Sequence, residues 1–145
     1  QAVAACATVG ATLCSETIWE RACETSAGTA CDWSYASGCT TYSSMRCNGN
    51  DYDSNPGMPG DQDSVLPTGS LAMCYANWGA SGRIYDLSGN VEEWALRRSA
   101  GVNPIRGGSY NDTRGGLMCD FDFVVAGDTI ALPTVGFRCC RATAP

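Results

Sequence analysis

YDLSGNVEEW, from Tyr85 to Trp94, joins an acidic residue, a Ser-Gly-Asn turn and a short strand that carries two adjacent glutamates. Side chains alternate between the two faces of a strand, so Glu92 and Glu93 must point to opposite faces, with Trp94 on the face of Glu92. An acid/base pair needs both carboxyls on the same side of a substrate, which excludes that role for the two glutamates. The stretch therefore predicts a tight turn that leads into a strand, with Trp94 in the core.

The composition describes an acidic chain with no basic cluster. The 145 residues carry a net charge of −6 and have a pI near 4.4. Nine scattered Lys and Arg residues cannot form the stripe that tracks a phosphate backbone, which excludes nucleic acid as a partner. No apolar run approaches the roughly 18 residues of a membrane helix, so we expect no transmembrane segment. The length favours a single domain, 1–145.

Ten cysteines and no histidine are the most informative part of the composition. The first six cysteines lie at positions 6, 14, 23, 31, 39 and 47, eight or nine residues apart. Zinc sites usually use closely spaced cysteine pairs, whereas the only close pair here is Cys139 and Cys140. An even number at this density favours complete disulfide pairing. We therefore expect an oxidising compartment, so that the protein is secreted, periplasmic or on the cell surface.

The absence of histidine removes several kinds of active site. A Ser-His-Asp triad, a Cys-His nucleophile and histidine-ligated zinc, iron or copper all require an imidazole. Any enzyme built on this chain would have to move protons with carboxylates, thiols or a bound cofactor.

Two N-terminal segments predict helices. QAVAACATVG, residues 1–10, is rich in alanine and ends in glycine. SETIWERACE, residues 15–24, has Ser15 as a helix N-cap. The apolar face of this second helix comprises Ile18, Trp19, Ala22 and Cys23.

The rest of the chain predicts loops and short strands. Residues 26–70 are rich in Gly, Ser, Asn and Asp without periodicity, and their cysteines and aromatic residues indicate an ordered, irregular region. The strand candidates are RIYDL (83–87), NVEEWAL (90–96), PIRGGSY (104–110), FDFVV (121–125) and VGFRCCR (135–141). We predict an α+β fold with two early helices, short antiparallel strands and little regular secondary structure.

Two acid-rich loops offer oxygen ligands to a hard cation such as calcium. Residues 47–63 contain four aspartates among asparagines and glycines, and YDLSGNVEEW adds Asp86 and Glu93. Asx turns in a solvated loop explain residues 47–63 equally well, and the spacing lacks the final glutamate of an EF-hand. Both explanations stay open on composition alone.

Four motifs together resemble the formylglycine-generating-enzyme family, the sulfatase-modifying factors. They are GATLCSETIWERAC (10–23), YDLSGNVEEW (85–94), IRGGSY (105–110) and VGFRCCR (135–141), in the family's order. The resemblance implies a C-type-lectin-like fold with little regular secondary structure. It also implies that this chain lacks the family's usual N-terminal portion. Glu92 departs from the family, in which this position is usually aromatic.

The resemblance implies one or two bound calcium ions. The first ligand set would be the side chains of Asp86 and Glu93 with the carbonyls of Gly89 and Val91. The second set, which aligns less well, would be Asn48, the carbonyl of Gly49 and groups near Asp61 and Asp63.

The family's catalytic residues are not present. In the aerobic enzymes of this family, two cysteines bind copper(I). The enzyme uses this copper site to oxidise a sulfatase cysteine to formylglycine. The corresponding positions are Asp112 and Leu117, and neither side chain can replace a soft thiolate. Cys119 matches a structural half-cystine of the family, and histidine-ligated iron is excluded.

The resemblance also implies two disulfides, Cys6–Cys139 and Cys23–Cys119. The other six cysteines allow several connectivities, which the sequence leaves open. Among these we favour Cys31–Cys39, Cys47–Cys74 and Cys14–Cys140.

Three functions remain for this sequence. The favoured one is a non-catalytic, calcium-binding, disulfide-stapled extracellular module that binds another protein or forms part of a surface assembly. One alternative is a formylglycine-generating oxidase with displaced cysteines. The other is a variable ligand-binding protein of the diversity-generating-retroelement type, which would vary residues 110–122. The candidate binding residues are Tyr110, Asn111 and Asp112.

Overall fold

The computed structural model describes residues 1–24, 30–60 and 63–141. Its helices are α1 (Ala2–Thr8) and α2 (Glu16–Cys23), and a short 3-10 helix spans Gly79–Ser81. The strands are β1 (Thr12–Leu13), β2 (Tyr75–Asn77), β3 (Arg83–Tyr85), β4 (Glu92–Trp94), β5 (Asn103–Arg106), β6 (Phe123–Val125), β7 (Val135–Phe137) and β8 (Cys139–Cys140). The described residues between 30 and 74 contain neither helix nor strand, in agreement with the predicted irregular region.

Helix α2 begins where the sequence predicts, because the Ser15 hydroxyl accepts a hydrogen bond from the Ile18 backbone N–H at 3.4 Å. Trp19 and Cys23, one turn apart, are the fully buried residues of the helix. Ile18 is 53% exposed, so its predicted place on the buried face is wrong. The eight-residue helix meets the rest of the protein along one narrow stripe, which Ile18 lies outside.

The main sheet has four strands in the order β6-β5-β4-β7. β5 pairs antiparallel with both β4 and β6, whereas β4 and β7 pair parallel. This one pair departs from the predicted antiparallel arrangement, because residues 126–134 carry the chain across the sheet before β7 begins. The predicted strand VGFRCCR is divided between two sheets, since β7 joins β4 and β8 pairs with β1. Strands β2 and β3 form a separate pair.

One face of the main sheet carries a row of large apolar side chains. Trp94 pairs with Ile105 on one side and with Phe137 on the other. Ile105 pairs in turn with Phe123, so the four side chains lie on one face, here called the outer face. Ile105 is buried at the centre of the row, whereas Phe123 and Phe137 at its ends are each 43% exposed.

The opposite, inner face carries buried charges. Glu93 and Arg106 pair with each other across β4 and β5, and each is 5% exposed. Helix α2 contacts β5 on this side. The predicted place of Trp94 in the core is therefore wrong, because β4 turns Glu93 towards α2 and leaves Trp94 half-buried on the outer face.

Five disulfides connect the helices, the loops and the C-terminal strands. They are Cys6–Cys139, Cys14–Cys140, Cys23–Cys119, Cys31–Cys39 and Cys47–Cys74, the same five pairs that we favoured from the sequence. All ten cysteines lie in the part of the chain that the structure describes, and none of them is free. Two buried clusters form around them. One comprises Cys31, Trp33, Tyr35, Cys39, Cys47, Cys74 and Leu117. The other comprises Cys14, Trp19, Cys23, Ala76, Leu87 and Cys119.

The two loop disulfides allow a matched test of what cross-linking contributes. Cys47–Cys74 joins residues 27 apart and Cys31–Cys39 joins residues 8 apart, within the same buried cluster. Chain entropy predicts a loss of about 3.6 kcal/mol when the first pair is replaced by alanines and about 2.6 kcal/mol for the second. Denaturant unfolding of the two double variants measures the difference. Equal losses would show that burial of the sulfurs, rather than loop length, sets the contribution.

Candidate functional site

The carboxylate of Glu93 is held from two directions. The indole Nε1 of Trp19 on α2 donates a hydrogen bond to Glu93 Oε2 at 2.7 Å. The guanidinium of Arg138, between β7 and β8, donates to both Glu93 oxygens and also to the carbonyl of Tyr85 at 3.2 Å. The guanidinium and the indole N–H together provide hydrogen-bond donors to both oxygens of this buried carboxylate.

A second ionic network fixes the start of α2 over the sheet. Glu16 forms ion pairs with Arg106 of β5 and with Arg98, and Arg98 also pairs with Asp122 at 2.6 Å. The hydrogen bond from Arg98 is the largest cause of the lowered pKa of Glu16. Arg106 donates in addition to the carbonyl of Phe121 at 2.7 Å. The inner face of the sheet is therefore joined to α2 mainly through charged groups.

The two glycines that follow β5 bring the next turn against the core. Gly107 and Gly108 have φ angles of +86° and +66°, which side chains rarely adopt. A Cβ at Gly107 would lie 2.6 Å from the Leu87 carbonyl oxygen and 2.9 Å from the Trp19 ring. Only glycine fits this approach, and the turn 109–112 begins directly after it.

The predicted binding residues lie on this turn, residues 109–112. Asp112 Oδ2 accepts hydrogen bonds from the Ser109 backbone N–H at 2.8 Å and from the Ser109 hydroxyl at 2.6 Å. The Tyr110 N–H donates to the Asn90 carbonyl at 3.0 Å, and this bond connects the turn 109–112 to the Ser-Gly-Asn turn, residues 88–90. Asn111 is exposed, whereas Tyr110 and Asp112 are half-buried. The turn is thus held by its own side chains and presents Asn111 to solvent.

The two positions that correspond to the family's copper ligands have other roles. Asp112 closes the turn 109–112 through Ser109. Leu117 is 1% exposed in one of the buried clusters and packs against Gly49 and Gly108. Neither side chain offers a thiolate at this place. Within the described residues, no three Cys, Asp or Glu side chains converge in a way that could hold a metal ion.

At the first predicted calcium set, Arg138 contacts one of the two carboxylates, and calcium binding by this set stays a prediction. Asp86, Gly89 and Glu93 are buried, and Val91 is half-buried. Glu93 forms an ion pair with Arg138, and a calcium ion beside the guanidinium would be repelled. Burial raises the pKa of Asp86, whose Oδ2 accepts a hydrogen bond from the Gly69 N–H at 2.8 Å.

The second predicted calcium set is only partly described. The Asn48 side-chain amide donates to the Ser64 carbonyl at 2.8 Å and to Asn90 Oδ1 at 3.0 Å. Asp63 accepts a hydrogen bond from the Asn50 amide at 3.4 Å. Gly49 is buried between these residues and Leu117. Asp61 lies outside the described residues, so calcium binding by this set stays a prediction.

Two residues of the site were not identified as such from the sequence. Arg138 belongs to the closing GFR motif, which was used to identify the family and not to find a partner for Glu93. Glu92 lies on the outer face of β4, and burial, with a further contribution from Asp112, raises its pKa to about 7. The sequence distinguished Glu92 only as an acidic residue at a position that is usually aromatic in the family.

The comparisons with known proteins agree with this architecture. The family model of the sulfatase-modifying factor enzyme 1-like domain matches residues 1–143. Among solved structures, Treponema denticola variable protein 1 is similar with a TM-score of 0.61 and 22% sequence identity over 86% of this chain. That match covers 45% of the variable protein, so this chain spans less than half of its length. No curated protein matches the sequence.

These findings confirm two predictions from the sequence. The matching family is the one that the four motifs indicated. The structural likeness confirms the α+β, disulfide-rich, C-type-lectin-like fold. The assignment of residues 1–145 to a single domain stays a prediction.

The role of Arg138 can be tested by removing its charge. We expect Arg138→Gln to lower the free energy of unfolding by about 3–5 kcal/mol, because Glu93 would be left as an uncompensated buried charge. Arg141→Gln is the control, since within the described residues the exposed Arg141 guanidinium donates to the Val9 carbonyl, and its loss should change stability by less than about 1 kcal/mol. Calorimetry measures both changes. A calcium-dependent Tm that persists in Asn48→Ala, which alters the second predicted calcium set, would show that calcium as well as Arg138 is a partner of Glu93.

The raised pKa of Glu92 predicts a pH-dependent stability. Between the unfolded value, near 4.5, and about 7, the folded protein keeps a proton that the unfolded chain releases. Stability therefore falls as the pH rises through this window and is level above it. We expect Glu92→Gln to remove this fall, so that the variant is more stable than the wild type at pH 8 by on the order of 1 kcal/mol after allowance for solvent screening, and equal to it at pH 4. Thermal unfolding at the two pH values measures this, and equal stabilities at pH 8 would contradict it.

Proposed function

The chain belongs to the family of sulfatase-modifying factor enzyme 1-like domains, and we propose that within this family it is a non-catalytic binding module of an oxidising, extracellular environment. The chain would use the family's scaffold to present a rigid surface to another protein or to a surface assembly. The scaffold is retained, whereas the groups that perform the family's oxidation are replaced.

This proposal rests on the two positions that correspond to the family's copper ligands, Asp112 and Leu117. Asp112 is bound within its own turn by Ser109, and Leu117 is buried in a core cluster. All ten cysteines are paired, so no thiolate is available to bind copper(I). These contacts support a structural role for Asp112 and Leu117, at the positions where the family's enzymes bind copper.

The turn 109–112 is the part of the former catalytic region that can contact a partner. Tyr110 and Asn111 reach the surface from a backbone that is fixed by the Asn90 carbonyl and by Asp112. A fixed turn of this kind binds with a small loss of conformational entropy. These contacts support Tyr110, Asn111 and Asp112 as binding residues.

The disulfides support the proposed environment. Five disulfides in one chain indicate an oxidising compartment. None of the helices in the described residues is long and apolar enough to cross a membrane. Secretion, a periplasmic location and exposure on the cell surface all agree with the disulfides.

A second candidate function is a variable ligand-binding protein. The likeness to Treponema denticola variable protein 1 favours it through the shared fold. In this case residues 110–122 would form the varied surface. An imperfect repeat of their coding region beside a reverse-transcriptase gene distinguishes this function from a fixed binding module.

The absence of oxidase activity can be tested directly. We expect no aldehyde to form when the native protein and copper(I) are incubated in air with a cysteine-containing sulfatase peptide, because no thiolate pair is available for the metal. Mass spectrometry of the peptide measures the product, with an aerobic formylglycine-generating enzyme as the positive control. Thiol titration of the denatured, unreduced protein should find no free thiol. A titratable thiol together with aldehyde formation would identify the protein as an oxidase.

A further inference from the structure

The outer face of the main sheet ends in an apolar patch at its β7 edge. Trp94, Val135 and Phe137 share this face, because Phe137 pairs with Trp94 and Val135 pairs with Glu92. Phe137 is 43% exposed, and Trp94 and Val135 are half-buried. β7 is an edge strand, with β4 as its neighbour in the sheet. We call these three residues, with Glu92 and Asp112 beside them, the β7 patch.

In β4 and β7 the polarity is the reverse of what a sheet with one buried face requires, whereas β5 buries Ile105 on the outer face. A sheet with one face on the core normally turns apolar side chains inward and polar ones outward. Here β4 buries Glu93 and leaves Trp94 half-exposed, and β7 leaves Phe137 in water. An apolar surface with a charged rim is typical of an interaction site. The inner charges are explained by their contacts with α2, whereas nothing in the described residues covers Phe137 fully.

The titratable groups of the β7 patch are acidic, and both are negatively charged above about pH 7. Glu92 lies on the same face as Trp94, and repulsion by Asp112 contributes to the raised pKa of Glu92. The described residues provide no hydrogen bond or ion pair to the Glu92 side chain, whereas its neighbour Glu93 is bound by Arg138. A half-buried carboxylate with an acidic neighbour gains most from a cationic group brought by a partner.

We propose that the β7 patch docks a protein segment that places an apolar side chain on Phe137 and a lysine or arginine beside Glu92 and Asp112. This inference rests on the proposed function and names the chemistry of the partner. The apolar contact supplies the affinity, and the carboxylates select for a basic residue and set its position. The patch lies next to the turn 109–112 through Asp112, so one partner can contact both.

A second copy of the chain is a poor occupant of this surface. The protein carries a net charge of −6, and the β7 patch contributes two carboxylates and no basic residue. A two-fold contact through the patch would bring the same acidic groups of two molecules together, which is unfavourable. A basic, apolar partner satisfies both the exposed phenylalanine and the carboxylates.

The experiment uses a phage-displayed library of random peptides, selected on the native, immobilised protein. We expect the enriched peptides to combine an aromatic or aliphatic residue with a lysine or arginine. Phe137→Ser should weaken their binding at least about tenfold, and Glu92→Gln should weaken it about three- to tenfold. Binding is measured at pH 8, where Glu92 is charged and Glu92→Gln is expected to stabilise the free protein, so weaker binding by this variant cannot come from unfolding.

The matched control is Phe123→Ser, because Phe123 has the same exposure of 43% and lies at the opposite end of the same row. Peptide affinity should not change in this variant. The proposal is overturned if no selected peptide depends on Phe137, if Phe123→Ser weakens binding equally, or if the selected peptides carry no basic residue. It is also overturned if binding requires added calcium, or if sedimentation shows a dimer that Phe137→Ser dissociates.

The outcomes separate this inference from the proposed function. Peptides whose binding is lost in Asn111→Ala but kept in Phe137→Ser would leave the binding module in place and overturn the β7 patch. Formation of an aldehyde in the oxidase assay would overturn the proposed function, whatever the peptides show.

Discussion

The contact on which the rest of the structure depends is the buried carboxylate of Glu93, bound by Arg138 and Trp19. A buried charge is tolerated only with its partners in place, so three distant parts of the chain must meet at one point. Trp19 belongs to α2, Glu93 belongs to β4, and Arg138 directly follows β7, so these three elements meet at the carboxylate. Cys139 and Cys140 follow Arg138 directly and extend the same junction to α1 and β1.

This junction explains why the protein needs so many disulfides. The contact between α2 and the main sheet is made largely by charged groups, including Arg106 and Glu16, which contribute less to stability than an apolar interface of the same size. The strands are short and the irregular middle region contributes little regular hydrogen bonding. Five disulfides reduce the entropy of the unfolded chain and compensate for this. A scaffold cross-linked in this way can keep an apolar side chain such as Phe137 in water for binding.

The parts that the sequence predicted well depend on local interactions or on the family resemblance. The start of α2 follows from the Ser15 hydroxyl and the backbone next to it. The disulfide pairing came in part from the family, because spacing alone allows many connectivities. The strand β2 was missed, since YAN is too short to show a period.

The parts that the sequence could not predict depend on contacts between distant residues. Asp86 and Glu93 looked like a calcium set because carboxylates close together suit a cation. Arg138 lies 45 residues after Glu93 and brings a positive charge to the same carboxylate. No local pattern could indicate that contact, because it exists only after β7 has paired with β4.

By itself, the sequence determined that Glu92 and Glu93 point to opposite faces of a strand, because this alternation is a property of the backbone. It also determined that thiolate and imidazole chemistry is missing at the family's catalytic positions, because Asp112 and Leu117 stand there. Only the tertiary structure decided which of the two faces is inside. That choice follows from the positions of Trp19 and Arg138, since a buried carboxylate must lie where its donors are. The same choice leaves Trp94 and Phe137 on the side where a partner can reach them.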